Sequence, residues 1–283
     1  MSNLPLRTDL ATESVRLSYQ DNLPDGIDHC TENMGNLEIS RTKISTRTAS
    51  EKIAKPIGSY VTISSLDFSL ESSPAEFEER AHTLAAEIRN LCGEFSSVLA
   101  VGLGNRFVTP DSIGPLVCDK LLATRHIHRL AKEITTDGLG VLSAVAPGVM
   151  GQTGIEAAEA VKSIADSIRP DVIIVVDALA CCEAQNLAKT IQLCDSGISP
   201  GSGVGNARAE FSPESMGRKV VAIGVPTVID ADVLCNGDTI YNGMFVTPRS
   251  IDSLARRMSA LIAMGINLAV HPSLSVEEII SLV

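Results

Sequence analysis

From residue 75 onward, apolar runs short enough for buried strands alternate with segments of helical period. That alternation restricts the fold more than any other feature of the chain. "SPAEFEERAHTLAAEIRNLC" places Phe77, Ala81, Leu84, Ile88 and Leu91 on one helical stripe. "SSVLAVGLGN" then reads as a strand running into a glycine turn, and "GVLSAVAPGV" as the next strand. "TGIEAAEAVKSIADSIRP" reads as a helix, with Thr153 and Glu156 as a capping box and Pro170 beyond its end. "DVIIVVDALA" and "KVVAIGVPTVI" are two further strands, and a last helix is expected over about residues 250–264. Strands that alternate with helices predict an α/β fold, a mostly parallel sheet flanked by helices. Aromatic residues make up only 3% of the chain, so Ala, Val, Ile and Leu must fill the core, as they do in such sheets. Ahead of this unit lies a polar N-terminal extension, in which "NLEISRTKIS" reads as an edge strand or hairpin and "GSYVTISS" as a strand.

Ligands of open α/β sheets collect beyond the carboxyl ends of the strands, so the chemistry is sought at the strand exits. Two carboxylates stand there. The apolar run Val172–Val176 ends on Asp177, where loss of solvent favours the neutral acid. Asp111 follows Thr109 and Pro110, which read as an N-cap and first helical residue, so a helix dipole would favour its ionised form. Carboxyls pushed apart in this way can divide general-base and general-acid duties. From the residues alone, the commoner reading of each is a helix-start or turn-bonding role. The glycine loop "DSGISPGSGVGNAR" offers Gly201, Gly203 and Gly205 as substrate-contacting positions, and their amides as donors to an oxyanion. It lacks the GK[ST] of a P-loop. His126 and His128 are two apart and do not share a helix face, which disfavours a metal pair. Cys181 and Cys182 read as packing residues before nucleophiles.

The chain carries a formal charge of −11, with 34 acidic against 23 Lys and Arg residues, which argues against direct nucleic-acid binding. No apolar stretch approaches the ~20 residues that span a bilayer, and the first twenty residues do not resemble a signal peptide. Seven cysteines without CxxC spacing fit a reducing, cytoplasmic setting.

"VGLGNRFVTPDSIGP", "APGVMGQTGIE", "VDALA", "DSGISPGSGVGNAR" and "IGVPTVIDA", in that order, resemble the germination proteases of spore-forming bacteria. "RTDLATES" near the start and "MFVTPRSID" late in the chain fit the same family. The resemblance implies an atypical aspartic-type endopeptidase that degrades small acid-soluble spore proteins in the spore core. It implies a fold similar to that of hydrogenase maturation proteases, a homotetramer, and no cofactor or metal. The two essential aspartates then fall on Asp111 and Asp177. The family is made as a self-cleaving zymogen and cuts its substrates after a glutamate in a Thr-Glu-apolar-Ala context. Thr8-Asp9-Leu10-Ala11 matches that pattern with aspartate for glutamate. Cleavage is therefore expected between Asp9 and Leu10, leaving residues 1–9 as propeptide and 10–283 as a single peptidase domain. A cationic partner for the carboxylate before the cut is sought among Arg106, Arg125 and Arg208. Residues 229–248 are shorter than in relatives, which bears on substrate docking and zymogen control. A metal-assisted peptidase of the hydrogenase-maturation type and a non-enzymatic small-molecule-binding module are the alternatives.

Overall fold

A computed structural model describes residues 8–19, 23–65, 72–130, 138–205, 208–234 and 243–283. Among these, nine strands form one sheet: β1 (Ile27–Met34), β2 (Leu37–Ile44), β3 (Gly58–Ser64), β4 (Ser97–Gly102), β5 (Val141–Val145), β6 (Val172–Cys181), β7 (Thr190–Cys194), β8 (Lys219–Asp230) and β9 (Phe245–Val246). Their spatial order is β1-β2-β3-β7-β8-β6-β4-β5, with β9 against β8. The expected α/β sheet flanked by helices is present. Its strands β8, β6, β4 and β5 are parallel, as the strand–helix alternation requires. The N-terminal strands are part of the same sheet: β1, β2, β3 and β7 run antiparallel to one another and join β8 through β7. The sheet is therefore mixed, parallel in one half and antiparallel in the other.

β6 reads as a continuous apolar run because helices cover both its faces. Val172, Ile174 and Val176 pack with side chains of the helices Pro74–Cys92 and Ile251–Val270. Ile173 and Val175 pack with Ala158, Val161 and Ala165 of the helix Ala157–Ile168. Each such burial stabilises by roughly 1.5–3 kcal/mol, enough to hold a polar group at the strand's end that would otherwise stay in water. The helix Pro74–Cys92 starts at a capping box of Ser73 and Glu76 with Pro74 in its first turn. The last long helix runs to Val270, beyond the expected end, because its apolar stripe continues through Ile266, Leu268 and Ala269 into the core. Thr153 and Glu156 do not form the expected capping box. Thr153 ends a separate short helix, Met150–Thr153, closed by Gly154 at φ 74°, and its hydroxyl accepts from the Ile155 amide instead. No helix among the described residues is long and apolar enough to cross a membrane.

Candidate active site

Strand alternation puts Asp177 on the same face of β6 as Ile173 and Val175, one residue past the apolar run. It is only 4% exposed, and its carboxylate accepts from the Ala178 amide at 2.9 Å. Burial, with a further push from the nearby Asp111, raises its pKa well above the ordinary carboxylate range. Asp111 arrives from the neighbouring strand β4 through a glycine turn. Leu103, just past β4, donates its amide to the Val176 carbonyl at 2.8 Å. Gly114 lies so close that a β-carbon there would sit 2.2 Å from the Leu103 carbonyl and 2.6 Å from that of Val176. Gly104, at φ 105°, leaves equally little room beside the Asp111 backbone. These two glycines let the turn after Asp111 rest directly on the ends of β4 and β6.

The helix-dipole expectation for Asp111 is corrected. Thr109–Asp111 forms a single 3-10 turn, with Val108 at its N-cap, ahead of the six-residue helix Ile113–Cys118. Burial raises the Asp111 pKa, and the Asn105 amide, which donates to its carboxylate at 2.8 Å, offsets this only in part. Both carboxyls are thus shifted upward, and the fully enclosed Asp177 is shifted more. Asp111 and Asp177 line one cavity of about 570 Å³, which Gly201, Gly203 and Arg208 also border.

Asp9 lines the same cavity. The N-terminal segment reaches it by docking across the strand ends. The Asp9 amide donates to the Ala180 carbonyl at 2.9 Å, and the Asp9 carboxylate accepts from the Ala180 amide at 2.8 Å and the Ser202 hydroxyl at 3.0 Å. Gln192 grips the backbone on both sides of Leu10, donating to the Asp9 carbonyl at 2.9 Å and accepting from the Ala11 amide at 2.6 Å. Leu10 itself is fully buried against Leu179, Cys181 and Ile229. Further on, the helix Ala11–Ser18 is anchored by Glu13, which is 0% exposed. Its carboxylate accepts from the amides of Cys182 at 2.8 Å and Glu183 at 3.0 Å, from Asn186 Nδ2 at 2.7 Å, and from the Thr8 hydroxyl.

Gln192 and Asp177 share a cross-strand row. Gln192 of β7 pairs with Gly224 of β8, which pairs with Asp177 of β6. Residues in one row project to one face, so the gripping amide and the buried acid lie on the same side of the sheet with a glycine between them. A β-carbon at Gly224 would come within 2.4 Å of the Leu179 side chain, which occupies that gap.

Gly203 is buried against the docked segment, and a β-carbon there would lie 2.1 Å from the Asp9 carboxylate. Gly201 and Gly205, both at φ 73°, bracket the turn Ser202–Val204. The amides of Ser202, Val204 and Gly205 are committed to bonds within that loop, so these three do not serve an oxyanion. Arg106 forms a two-pronged ion pair with Asp119, Arg208 faces Glu156 at 3.7 Å, and Arg125 opens the helix Arg125–Leu130. Lys55, outside the strand exits, is a cation on which the charge of Asp9 acts. Burial pushes both Cys181 and Cys182 thiols up to about 12, which keeps them protonated near neutrality. Among the described residues no group of three or more His, Cys, Asp or Glu side chains is arranged to hold a metal ion. Gln192, Glu13 and Lys55 are functional neighbours that the strand-exit search missed. A glutamine inside the apolar run "TIQLC" was a signal of the same kind as Asp177.

A family model described as germination protease matches residues 8–244. The germination protease of Clostridium perfringens (strain SM101 / Type A) is 36% identical over 319 residues, covering 97% of this chain and 98% of that protein. That of Caldanaerobacter subterraneus subsp. tengcongensis is 35% identical over 317 residues, covering 97% of each. That of Priestia megaterium is 41% identical over 252 residues, covering 85% of this chain and 67% of that protein. A solved NiFe hydrogenase maturation protease, HycI from Thermococcus kodakarensis, matches 64% of this chain and 98% of its own at 18% identity, with a TM-score of 0.36. An α/β protein with these relatives is a peptidase. The chain belongs to the germination protease family.

Proposed function

We propose that this protein is an aspartic-type endopeptidase that begins the degradation of small acid-soluble spore proteins during germination, and that it first cuts its own chain between Asp9 and Leu10. Residues 1–9 are then a propeptide, of which 1–7 lie outside the described residues, and 10–283 are the peptidase domain. The enzyme works in the spore core as a homotetramer, without a cofactor and without binding nucleic acid itself. One geometric fact supports this above all: two carboxyls with raised pKa values line a single cavity together with Asp9, the residue before the proposed cut. Of the segment 229–248, residues 235–242 lie outside the described residues.

The roles follow from the two environments. Asp111 is half-buried and accepts a backbone amide, so it ionises first and takes a proton from the attacking water. The water oxygen adds to the Asp9 carbonyl carbon, and the carbonyl oxygen gains charge beside Gln192 Nε2, which already donates to it. Asp177, kept neutral by burial, gives its proton to the Leu10 nitrogen as the C–N bond breaks. The pair ends with the proton on Asp111 and the charge on Asp177, and exchange with solvent restores the start. Asp111 adds to the upward push on Asp177, so the pair is expected to titrate in a coupled way. Cutting needs one proton on the pair, so it falls as pH rises through the raised pKa of Asp177. A zymogen that activates as the maturing spore acidifies has this dependence.

The test is intact-mass analysis of full-length wild type and Asp177→Asn, incubated from mildly acidic to neutral pH, with a small acid-soluble spore protein added in a parallel series. Wild type should lose Met1–Asp9 more readily on the acid side and cut the added protein, while Asp177→Asn does neither. Equal clipping of both proteins would sink the aspartate mechanism. Loss of cutting in EDTA, restored by added metal ion, would replace it with a metal-assisted one.

A further inference from the structure

Beside the docked segment is a second cavity, of about 220 Å³, lined among others by Asp9, Lys55, Tyr60, Gln192, Ser199 and Ser202. The carboxylate of Asp9 is held there by the Ala180 amide and the Ser202 hydroxyl. Lys55 is brought to its wall by an unusual turn. The helix Arg47–Ile53 ends on Ala54 in the left-handed region, at φ 53° and ψ 42°. A residue with a β-carbon adopts that conformation only at a cost on the order of 1 kcal/mol, so the surroundings must impose it. The Ser50 hydroxyl, donating to the Lys55 carbonyl at 2.7 Å, fixes the turn.

The Lys55 ammonium donates to the Thr8 carbonyl at 2.7 Å, one residue before Asp9. Burial lowers its pKa, and the charge that most opposes the lowering is Asp9. Yet the two do not come within ion-pair distance, although both line this cavity. A half-buried cation that shares a cavity with a carboxylate beyond ion-pair distance matches an acid with a longer reach.

Resting on the reading of the chain as a self-cutting protease, we propose that this cavity is the specificity pocket for the side chain before the scissile bond. Lys55 reads its charge, Ser202 and the Ala180 amide fix its carboxylate, and the depth suits glutamate better than aspartate. The protein's own cut site then carries a ligand one methylene too short. Self-cleavage is held below the rate at which the same site cuts a glutamate-bearing substrate.

Four full-length proteins test this: wild type, Asp9→Glu, Lys55→Gln and the double variant, each followed by intact mass for the chain beginning at Leu10. Asp9→Glu should release it about tenfold faster than wild type, the effect of one added charge-assisted hydrogen bond. In the Lys55→Gln background, glutamate and aspartate at position 9 should be cut at the same reduced rate. An unchanged or slower Asp9→Glu, or an acceleration that survives Lys55→Gln, overturns the pocket. If none of the four is clipped, the self-cleavage reading fails, and thermal unfolding of the same proteins judges the pocket alone. Glutamate at position 9 must then raise Tm only where Lys55 is present, and equal shifts in both backgrounds overturn it. Should Lys55→Gln not fold, Ser202→Ala on its exposed turn replaces it: several-fold slower release of Leu10 supports the pocket and an unchanged rate overturns it.

Discussion

The two halves of the sheet differ in what they bring to the cavity. The parallel half, β8-β6-β4-β5, supplies the carboxyls: Asp177 ends the apolar run of β6, and Asp111 follows β4. The antiparallel half, β1-β2-β3-β7, supplies grip: Gln192 lies on β7, and Lys55 precedes β3. Parallel strands end together at one edge, where buried runs can deliver acids into a dry site. Antiparallel strands present mid-strand side chains that can lie along a peptide. The docked segment crosses from one half to the other, its Asp9 bonded to Ala180 of β6 and to Gln192 of β7. On the proposed reading, the proton-transferring groups lie in one half and the peptide-holding groups in the other, and mutation can weigh the two halves separately.

The largest expected effect comes from the parallel half. Asp177→Asn should lower self-cleavage and substrate cleavage by about 10²–10⁴-fold, measured by single-turnover mass analysis. The same substitution carries a pH signature in stability. The folded-state pKa of Asp177 is raised, so the folded protein binds the proton more tightly than the unfolded chain. Wild-type stability from this group is complete below the ordinary carboxylate range and declines as pH rises through the raised value. Asn cannot ionise, so Tm of Asp177→Asn relative to wild type should climb from acidic to neutral pH. A constant difference would mean that Asp177 is not held neutral.

Next comes Gln192→Ala in the antiparallel half. A donor to the developing oxyanion is worth about 10²–10³-fold in kcat. A rise in KM alone would return Gln192 to docking and leave the catalytic half self-sufficient. Glu13→Gln should destabilise the N-terminal anchor by about 1–3 kcal/mol, because the Cys182 and Glu183 amides lose a charged acceptor. It would show as faster amide exchange over Ala11–Ser18, with the rest of the sheet unchanged. Smallest is Arg106→Ala, which removes an exposed pair with Asp119 and should shift stability by about 0–1 kcal/mol with no loss of cutting. A large loss there would put recognition in the parallel half.

The sequence showed the parallel half more clearly than the antiparallel half, for a physical reason. Strands buried on both faces leave long apolar runs, so β4, β6 and β8 stood out, and so did the acid that breaks the pattern at Asp177. The strand β7 spans only Thr190–Cys194, too short for a distinctive pattern, and its place between β3 and β8 is set by strand order. Lys55 was hidden for a related reason: nothing local marks a lysine after a short helix as facing a carboxylate 46 residues earlier. The protonation of Asp111 was misjudged because a single 3-10 turn has too little aligned backbone to outweigh burial. The Thr8-Asp9-Leu10-Ala11 pattern was legible, but not that the segment lies folded into the cavity.

Glu13 gives the anchored segment a second consequence. The proposed cut between Asp9 and Leu10 would free residues 1–9, whereas Leu10, Ala11 and Glu13 are fully buried on the far side of the bond and would remain part of the chain. One product of the proposed cut would thus stay tethered beside Asp111 and Asp177 at an effective concentration set by a link of only a few residues. On the proposed reading, an incoming substrate would have to outcompete that stub, and the grip on Glu13 would then act as a throttle on every later turnover.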